Sequence, residues 1–354
     1  MRLIVTGGAG FIGSAAVCRA VRDGHHVLTV DKLTYAGRRE ALAEVSASPR
    51  HQLLQADIAD SNAIHTAFCG FDPDAVLHLA AESHVDRSID EPEVFVATNV
   101  RGTFVLLEAA LRHWSQLGGV RRENFRFVQV STDEVFGTVG KEGIFNASSR
   151  YAPNSPYAAS KAAADHFARA WYRTYGIPVI VTNCSNNYGP RQHAEKLIPT
   201  VVRHALEGMP IPVYGTGANV RDWLYVEDHV NGLMAALRDG RPGQTYLFGG
   251  RCEMRNLDLA HIICALLDTR RPCPDGKSYA EQITFVMDRP GHDLHYAIDP
   301  SHTESTLGWK AHERFETGLA KTIDWYLANA DWLIPVKQLG RLGTRAAEIA
   351  GASP

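Results

Sequence analysis

Two pairs of side chains in this 354-residue sequence are spaced for acid–base chemistry. Tyr157 and Lys161 stand four apart in a segment with helical apolar spacing, so both project from one face with their polar ends close together. A free phenol has a pKa of about 10, and bringing it toward neutrality takes about 4 kcal/mol, which a close ammonium and a further positive charge could supply. Such a pair makes a general base. Asp133 and Glu134 are adjacent and follow Thr132 at the end of an apolar run. Two neighbouring carboxylates at a strand end repel each other, so one tends to hold a proton while the other stays ionised. One acid and one base result.

A redox partner for Tyr157 needs a dinucleotide site. Gly7-Gly8-Ala9-Gly10-Phe11-Ile12-Gly13 reads as GxGxxG from Gly8 and as GxxGxxG from Gly7, between a predicted strand and a predicted helix. Glycines there let the backbone turn and approach a pyrophosphate, whose charge meets free N–H groups at the helix start. Asp31, at the end of the second predicted strand, falls where a carboxylate binds the ribose hydroxyls of NAD and disfavours NADP. Lys32, Arg38 and Arg39 lie nearby and could accommodate a 2′-phosphate. Asp57-Ile58 falls where an adenine pocket would, and reads equally well as a strand-end turn.

The elements that must position these groups are visible in the hydrophobic pattern. Short apolar runs at 2–6, 26–30, 75–79, 125–130 and 179–182 alternate with amphipathic stretches at 12–23, 96–113 and 157–175, with Gly24 and Gly176 closing the first and third. That alternation predicts an α/β fold with a Rossmann-type doubly wound parallel sheet. After residue 183 Pro and Gly punctuation thickens, which predicts a smaller C-terminal substrate-binding domain. The expected division is an NAD-binding domain over 1–185 with some later segments returning to it, a mainly nucleotide-sugar-binding domain over 186–330, and a loose tail over 331–354.

Apolar residues make up 45% and charged residues 21%, with a net charge of −3, so nothing invites nucleic acid. Six scattered cysteines without a CxxC pair read as small buried residues in a reducing cytoplasm. The chain runs straight into a strand, leaving no room for a signal peptide, and no apolar run reaches bilayer length, so a cytoplasmic protein without a membrane partner is expected. His292-Asp293-Leu294-His295 lacks third and fourth ligands at metal spacing, and no metal is expected. Trp171-Tyr172-Arg173-Thr174-Tyr175 reads as helix packing.

Taken together, the motifs resemble those of the dTDP-glucose 4,6-dehydratases of the extended short-chain dehydrogenase/reductase class. The likeness runs through residues 6–14, 31–37, 80–88, 130–137, 155–157, 182–190, 195–199, 219–229 and 288–293. It implies a tightly held NAD, regenerated each turnover, and a nucleoside-diphosphate hexose substrate. In the implied reaction Tyr157 deprotonates the sugar 4-hydroxyl, Glu134 takes the C5 proton, and Asp133 donates to the leaving 6-hydroxyl. Thr132 and Ser83 hold sugar hydroxyls, and Lys161 holds Tyr157 and the nicotinamide ribose. The implied cofactor residues are Gly7, Gly10, Phe11, Ile12, Gly13, Asp31, Lys32, Leu33, Thr34, Asp57, Ile58, Leu79, Ala80, Ala81, Ser83, Thr98, Tyr157, Lys161 and Asn187. Asn186, Lys196, Leu197, Pro212, Val213, Tyr214, Arg221, Asn256, Asp288, Arg289, Pro290, Gly291 and His292 are implied at the substrate. For Arg221 and Arg289 there is a direct rationale, since guanidinium forks bind phosphate oxygens bidentately. A homodimer through the helices at 96–113 and 157–175 is also implied.

The likeness has gaps. Phe136 and Arg191 stand where the family usually has Tyr, His193-Ala194 where it has Phe-Pro, Ala147 where Glu is frequent, and Leu294-His295 where two Arg are common. These put base and sugar preference in question more than reaction type. A nucleotide-sugar 4-epimerase, which needs only Tyr157 and Lys161, a 4,6-dehydratase for another nucleoside-diphosphate hexose, and a non-catalytic NAD-binding protein stay open at this point.

Overall fold

The computed structural model describes residues 1–140 and 143–334. Seven parallel strands form the main sheet in the spatial order β3-β2-β1-β4-β5-β6-β10. They are β1 (Arg2–Thr6), β2 (His26–Asp31), β3 (His51–Gln55), β4 (Ala75–His78), β5 (Arg126–Thr132), β6 (Val179–Cys184) and β10 (Thr245–Phe248). Between β6 and β10 lie β7 (Asn186–Tyr188), β8 (Ile211–Tyr214) and β9 (Val220–Tyr225); β11 (Glu253–Arg255) and β12 (Ile283–Val286) follow. The sheet order reverses between β1 and β4, which opens a crevice at the carboxyl ends of the strands.

The strands read as unbroken apolar runs because helices cover both faces. Alternate side chains of one strand serve opposite cores. Leu3 and Val5 pack with Val17 of the Phe11–Arg22 helix and Leu233 of the Val226–Asp239 helix. Ile4 packs on the other side with Phe68, Leu106 and Trp171. The Pro156–Tyr175 helix starts just before Tyr157 for local reasons: Pro156 suits the first helical position and Ser155 Oγ accepts the Ala158 N–H at 3.1 Å. Gly176, in the left-handed region at φ 77°, ends it as the sequence predicts.

One expectation changes. The second predicted helix begins at Pro92, not at 96, and runs to Gln116 with a π turn over Val96–Gly102. Its most apolar 18-residue window has a mean hydropathy of 1.4, so by length and composition it could span a bilayer, although no contiguous apolar run suggested this. Half of that window is buried inside the fold, where the helix lies beside Ser61–Phe71 and Pro156–Tyr175.

A third core gathers Ile198, Val202, Val213, Leu259, Leu319 and Tyr326 around the Leu197–Glu207, Asn256–Arg270 and Phe315–Ala328 helices. Between them the chain returns to the large sheet, through Val226–Asp239 and β10. The start of the expected tail is not loose: Ala330–Leu333 makes a short 3-10 turn with Leu333 buried, and residues 335–354 lie outside the described residues. All six cysteines are free; Cys18, Cys184 and Cys264 are buried, whereas Cys69 is exposed, contrary to a uniformly buried set.

Candidate active site

A cleft of about 310 Å³ opens at the carboxyl edge of the sheet. Its floor is the glycine turn. Gly7 takes φ 68°, and a Cβ there would sit 2.6 Å from the Ala80 backbone nitrogen; one on Gly13 would sit 2.0 Å from the Gly7 carbonyl. Gly10 precedes the Phe11–Arg22 helix without a side-chain cap, so the first-turn N–H groups are left for an anion. These features fit a dinucleotide pyrophosphate.

Eighteen of the nineteen cofactor residues implied by the sequence line this cleft, including Gly10, Phe11, Ile12, Thr34, Ile58, Leu79, Ala81, Ser83, Thr98 and Asn187. The exception is Leu33. Its left-handed backbone (φ 55°) sends the side chain onto the core, and its N–H donates to Asp31 Oδ1 at 2.8 Å. Asp31 Oδ2 also accepts the Ala9 N–H at 2.9 Å. Burial pushes the Asp31 carboxyl up, and these two donors hold it back. Asn187 lines the wall, but its amide is spent within the protein, on the Ser185 carbonyl and on His229 Nδ1.

The cations beside Asp31 are already engaged. Lys32 Nζ lies 2.6 Å from Asp57 Oδ2; burial pushes Asp57 up, and Lys32 with the Ala59 N–H overcomes it, leaving the carboxyl below its ordinary range. Arg38 donates to the Ile334 carbonyl and Arg39 to Gln55 Oε1. The site therefore fits a ribose with free hydroxyls better than one carrying a 2′-phosphate.

Deeper in the cleft, β5 ends at Thr132 and turns through Asp133–Phe136. Thr132 Oγ1 accepts the Glu134 N–H at 3.3 Å and lies 3.2 Å from Asp133 Oδ1. Asp133 is 1% exposed, and its Oδ2 has no hydrogen-bond partner among the described residues. Burial, then Glu134 and Asp222, push its carboxyl well above the usual range. Burial raises Glu134 too, but Arg289, Arg221 and Lys196 pull it back. Asp133 is thus the proton holder and Glu134 the readier anion.

Tyr157 lines the same cleft. Burial, then Glu134 and Cys184, push its phenol well above the ordinary value, while the Thr132 hydroxyl draws it down. The Lys161 ammonium donates to the Val130 carbonyl at 2.7 Å, and burial lowers its own pKa. With so little water to support a phenolate, Tyr157 ionises only where positive charge stands close to it.

Residues 4–322 match the family model described as GDP-mannose 4,6 dehydratase. A probable dTDP-glucose 4,6-dehydratase of Sinorhizobium fredii is 54% identical over 98% of both chains. The chain belongs to the dTDP-glucose 4,6-dehydratase family. The Escherichia coli relative of that name is 52% identical over 95% of this chain and 96% of its own. A dTDP-glucose 4,6-dehydratase of Streptomyces venezuelae, solved with NAD and TYD bound, superposes with a TM-score of 0.85 at 45% identity, covering 95% of this chain and all of that one. Epimerases share the fold at lower identity: the UDP-glucose 4-epimerase of Thermus thermophilus, complexed with NAD, gives 0.81 at 26%, over 92% of this chain and 99% of that one.

The substrate residues that the resemblance implies divide into two groups. Ser83, Thr132, Asn186 and Lys196 line the cleft, with Lys196 Nζ donating to the Ser83 carbonyl at 2.7 Å. Leu197, Pro212, Val213, Tyr214, Arg221, Asn256, Asp288, Arg289, Pro290, Gly291 and His292 do not. Val213 is core. Leu197 and Asn256 begin helices, with Asn256 Oδ1 buried and unpartnered among the described residues.

The polar members of the second group are tied to one another. Asp86 takes Arg289 NH1 at 2.9 Å and the Tyr214 hydroxyl at 3.0 Å, and His292 Nδ1 lies 2.6 Å from Asp288. Gly291 turns at φ 67°, where a Cβ would meet the Asn154 carbonyl at 2.6 Å, beside Pro290. Arg221 donates to the Asp293 carbonyl at 2.9 Å. From there both guanidinium groups still act on Glu134.

Several lining residues escaped sequence reasoning, among them Glu82, Ser131, Cys184, Ser185, Gln192 and Glu195. Glu82 and Glu195 stand inside matched runs, the one signal that could have found them. Of the positions that depart from the family, His193 lines the cleft, 3.5 Å from Glu195. Arg191 faces away toward Glu44, and His295 pairs with Glu253. Phe136 is buried against Phe145 and Tyr151. Of Arg191, His193, Ala147 and His295, His193 alone lines the cleft.

Proposed function

We propose that this chain converts dTDP-glucose to dTDP-4-keto-6-deoxyglucose, as a carbon–oxygen lyase that holds NAD through the cycle. The observation that carries the reading is the Asp133–Glu134 pair, lining one cleft with Tyr157 and Lys161, with the Asp133 carboxyl pushed well above its usual range and Glu134 held back by nearby cations. A 4-epimerase has use for Tyr157 and Lys161 but none for that pair. The relatives at 52–54% identity carry the dehydratase name, whereas the named 4-epimerases match at 25–27%.

NAD, when bound, supplies the hydride acceptor for C4 and returns the hydride at C6. The glycine turn and the open helix start hold its pyrophosphate, Asp31 its ribose, and Asp57 with Ile58 the adenine end. Tyr157 takes the 4-hydroxyl proton. Oxidation at C4 acidifies C5, and Glu134 removes that proton as Asp133 gives its own to the departing 6-hydroxyl. Glu134 then returns a proton to C5. Thr132 and Ser83 orient sugar hydroxyls, and the Lys196 ammonium in the cleft wall favours the diphosphate.

The division of labour follows the chain: residues 1–185 with 226–248 carry the cofactor, and most of 186–330 carries the nucleotide sugar. A cytoplasmic homodimer completes the reading. Val96, Phe104 and Tyr175 are exposed on the Pro92–Gln116 and Pro156–Tyr175 helices, and Phe104 touches Trp171 across them, giving one apolar face. Sedimentation of a Phe104→Glu variant as a monomer tests that face.

For the reaction, the purified protein is incubated with dTDP-glucose in D₂O without added NAD. Loss of one water with deuterium at C5 is expected; dTDP-galactose as product would overturn the dehydratase in favour of the epimerase.

A further inference from the structure

The Pro156–Tyr175 helix carries a second repeat beyond Tyr157 and Lys161. Asp165 and Arg169 continue the four-residue spacing, so phenol, ammonium, carboxylate and guanidinium follow one another along a single face. Asp165 is 0% exposed, which for an aspartate requires a compensating partner. Sugar cannot reach it, because it does not line the cleft.

Its partners come from three elements. The Tyr151 hydroxyl donates to Asp165 Oδ2 at 2.9 Å, and Asn183 of β6 reaches the same oxygen at 3.5 Å. Arg169 donates to the Tyr151 hydroxyl at 2.7 Å and stacks over its ring at 4.7 Å. Asn183 also donates to the Thr132 carbonyl at 2.9 Å, so the hub reaches the strand end that holds the acid–base pair.

Deepening the proposed function and resting on it, we propose that Asp165 is a positioning residue for the oxidation step, the buried counter-charge that keeps Lys161 an ammonium seated on the Val130 carbonyl. Burial works against charge on Lys161, and Asp165 is the largest influence restoring it, followed by Cys184. From β4, His78 is held neutral by burial, with Lys161 adding to that. Around Tyr157 stand Glu134, Cys184 and Asp133, all opposing a phenolate, so the Lys161 charge has no spare replacement among them. Burial pushes the Asp165 carboxyl up, and Lys161, Ser131, Arg169 and Tyr151 hold it back.

The sign follows. Without the Asp165 charge, Lys161 gives up its proton more readily, less positive charge faces Tyr157, and the phenol ionises at higher pH. The test is an ultraviolet titration of phenolate in the NAD-loaded protein, taken as the difference from Tyr157→Phe in wild-type and Asp165→Asn backgrounds. A rise of about one pH unit is expected. The acid limb of C4 oxidation is expected to move with it, and Asp165→Glu to recover part of the shift. Tyr151→Phe, which removes the hydroxyl that donates to Asp165 and accepts from Arg169, is expected to move the titration the same way by less and serves if Asp165→Asn does not fold.

Coincident titration curves, whatever the loss of melting temperature or turnover, would overturn the assignment and leave Asp165 a packing residue. Because the titration needs no turnover, a wild-type protein inert toward dTDP-glucose strikes the proposed function alone.

Discussion

Asp133 and Glu134 are consecutive at the end of β5 yet live in different electrostatic surroundings. Burial raises both, but Arg289, Arg221 and Lys196 hold Glu134 back against Asp293, whereas Asp133 Oδ2 is enclosed without a hydrogen-bond partner among the described residues and sees Glu134 and Asp222 as like charges, with Arg221 opposing them. In the proposed reaction, two side chains of nearly the same chemistry serve as an acid and a base at one pH. Elimination across two neighbouring carbons needs both at once.

If that division is right, Glu134→Gln stops elimination while leaving C4 oxidation. Dehydration is expected to fall by about 10²–10⁴-fold, the usual weight of a general base, with a reduced-cofactor absorbance that persists after substrate is added. Tyr157→Phe is expected to lose both signals. Dehydration at the native rate by Glu134→Gln would remove its assigned role.

The cations around Glu134 set its pH range. Burial raises its pKa, and a base works only when deprotonated, so activity falls as pH drops through that raised value. Lys196→Gln removes one of the three restraining charges, and the acid limb of kcat is expected to move to higher pH by roughly half a unit to one unit. An unmoved limb would mean that another group titrates there.

Asp133 has a cost in stability that the reaction requires. A carboxyl whose pKa is raised on folding supports the fold fully below its unfolded value of about 4, and that support is lost as pH rises through the folded value. Asp133→Asn is therefore expected to melt close to wild type in acid and above it in neutral and alkaline buffer, by roughly 1 kcal/mol or more, while dehydrating little. Thermal melts across pH decide this; a gap that shrinks with rising pH contradicts it.

Asp31 offers a cleaner test of cofactor choice. Asp31→Asn keeps the size of the side chain and an oxygen for the Ala9 N–H but removes the charge. Retention of NAD through purification is expected to weaken by about tenfold or more, roughly 1.4 kcal/mol. No gain for NADP is expected, since Lys32 is held by Asp57 and Arg39 by Gln55. Cofactor released by acid and counted per chain measures the first, and NADP titration the second.

The sequence by itself determined what depends on neighbours along the chain. The glycine turn, the start of a helix at Ser155-Pro156, the pairing of Tyr157 with Lys161 and the adjacency of Asp133 and Glu134 are all local, and a period of two or of 3.6 shows in a few residues. Nearly every cofactor residue that the family resemblance implied lines the cleft.

Tertiary structure alone decided the charges and the second group of substrate residues. Arg221 and Arg289 reach Glu134 from far along the chain, Lys32 is spent on Asp57, the backbone at Leu33 turns its side chain inward, and Asp165 meets Tyr151 and Asn183 in the interior. The reason is physical: the free energy of a charge depends on what surrounds it in three dimensions and on how much water is left, and neither quantity is a property of a short stretch of sequence.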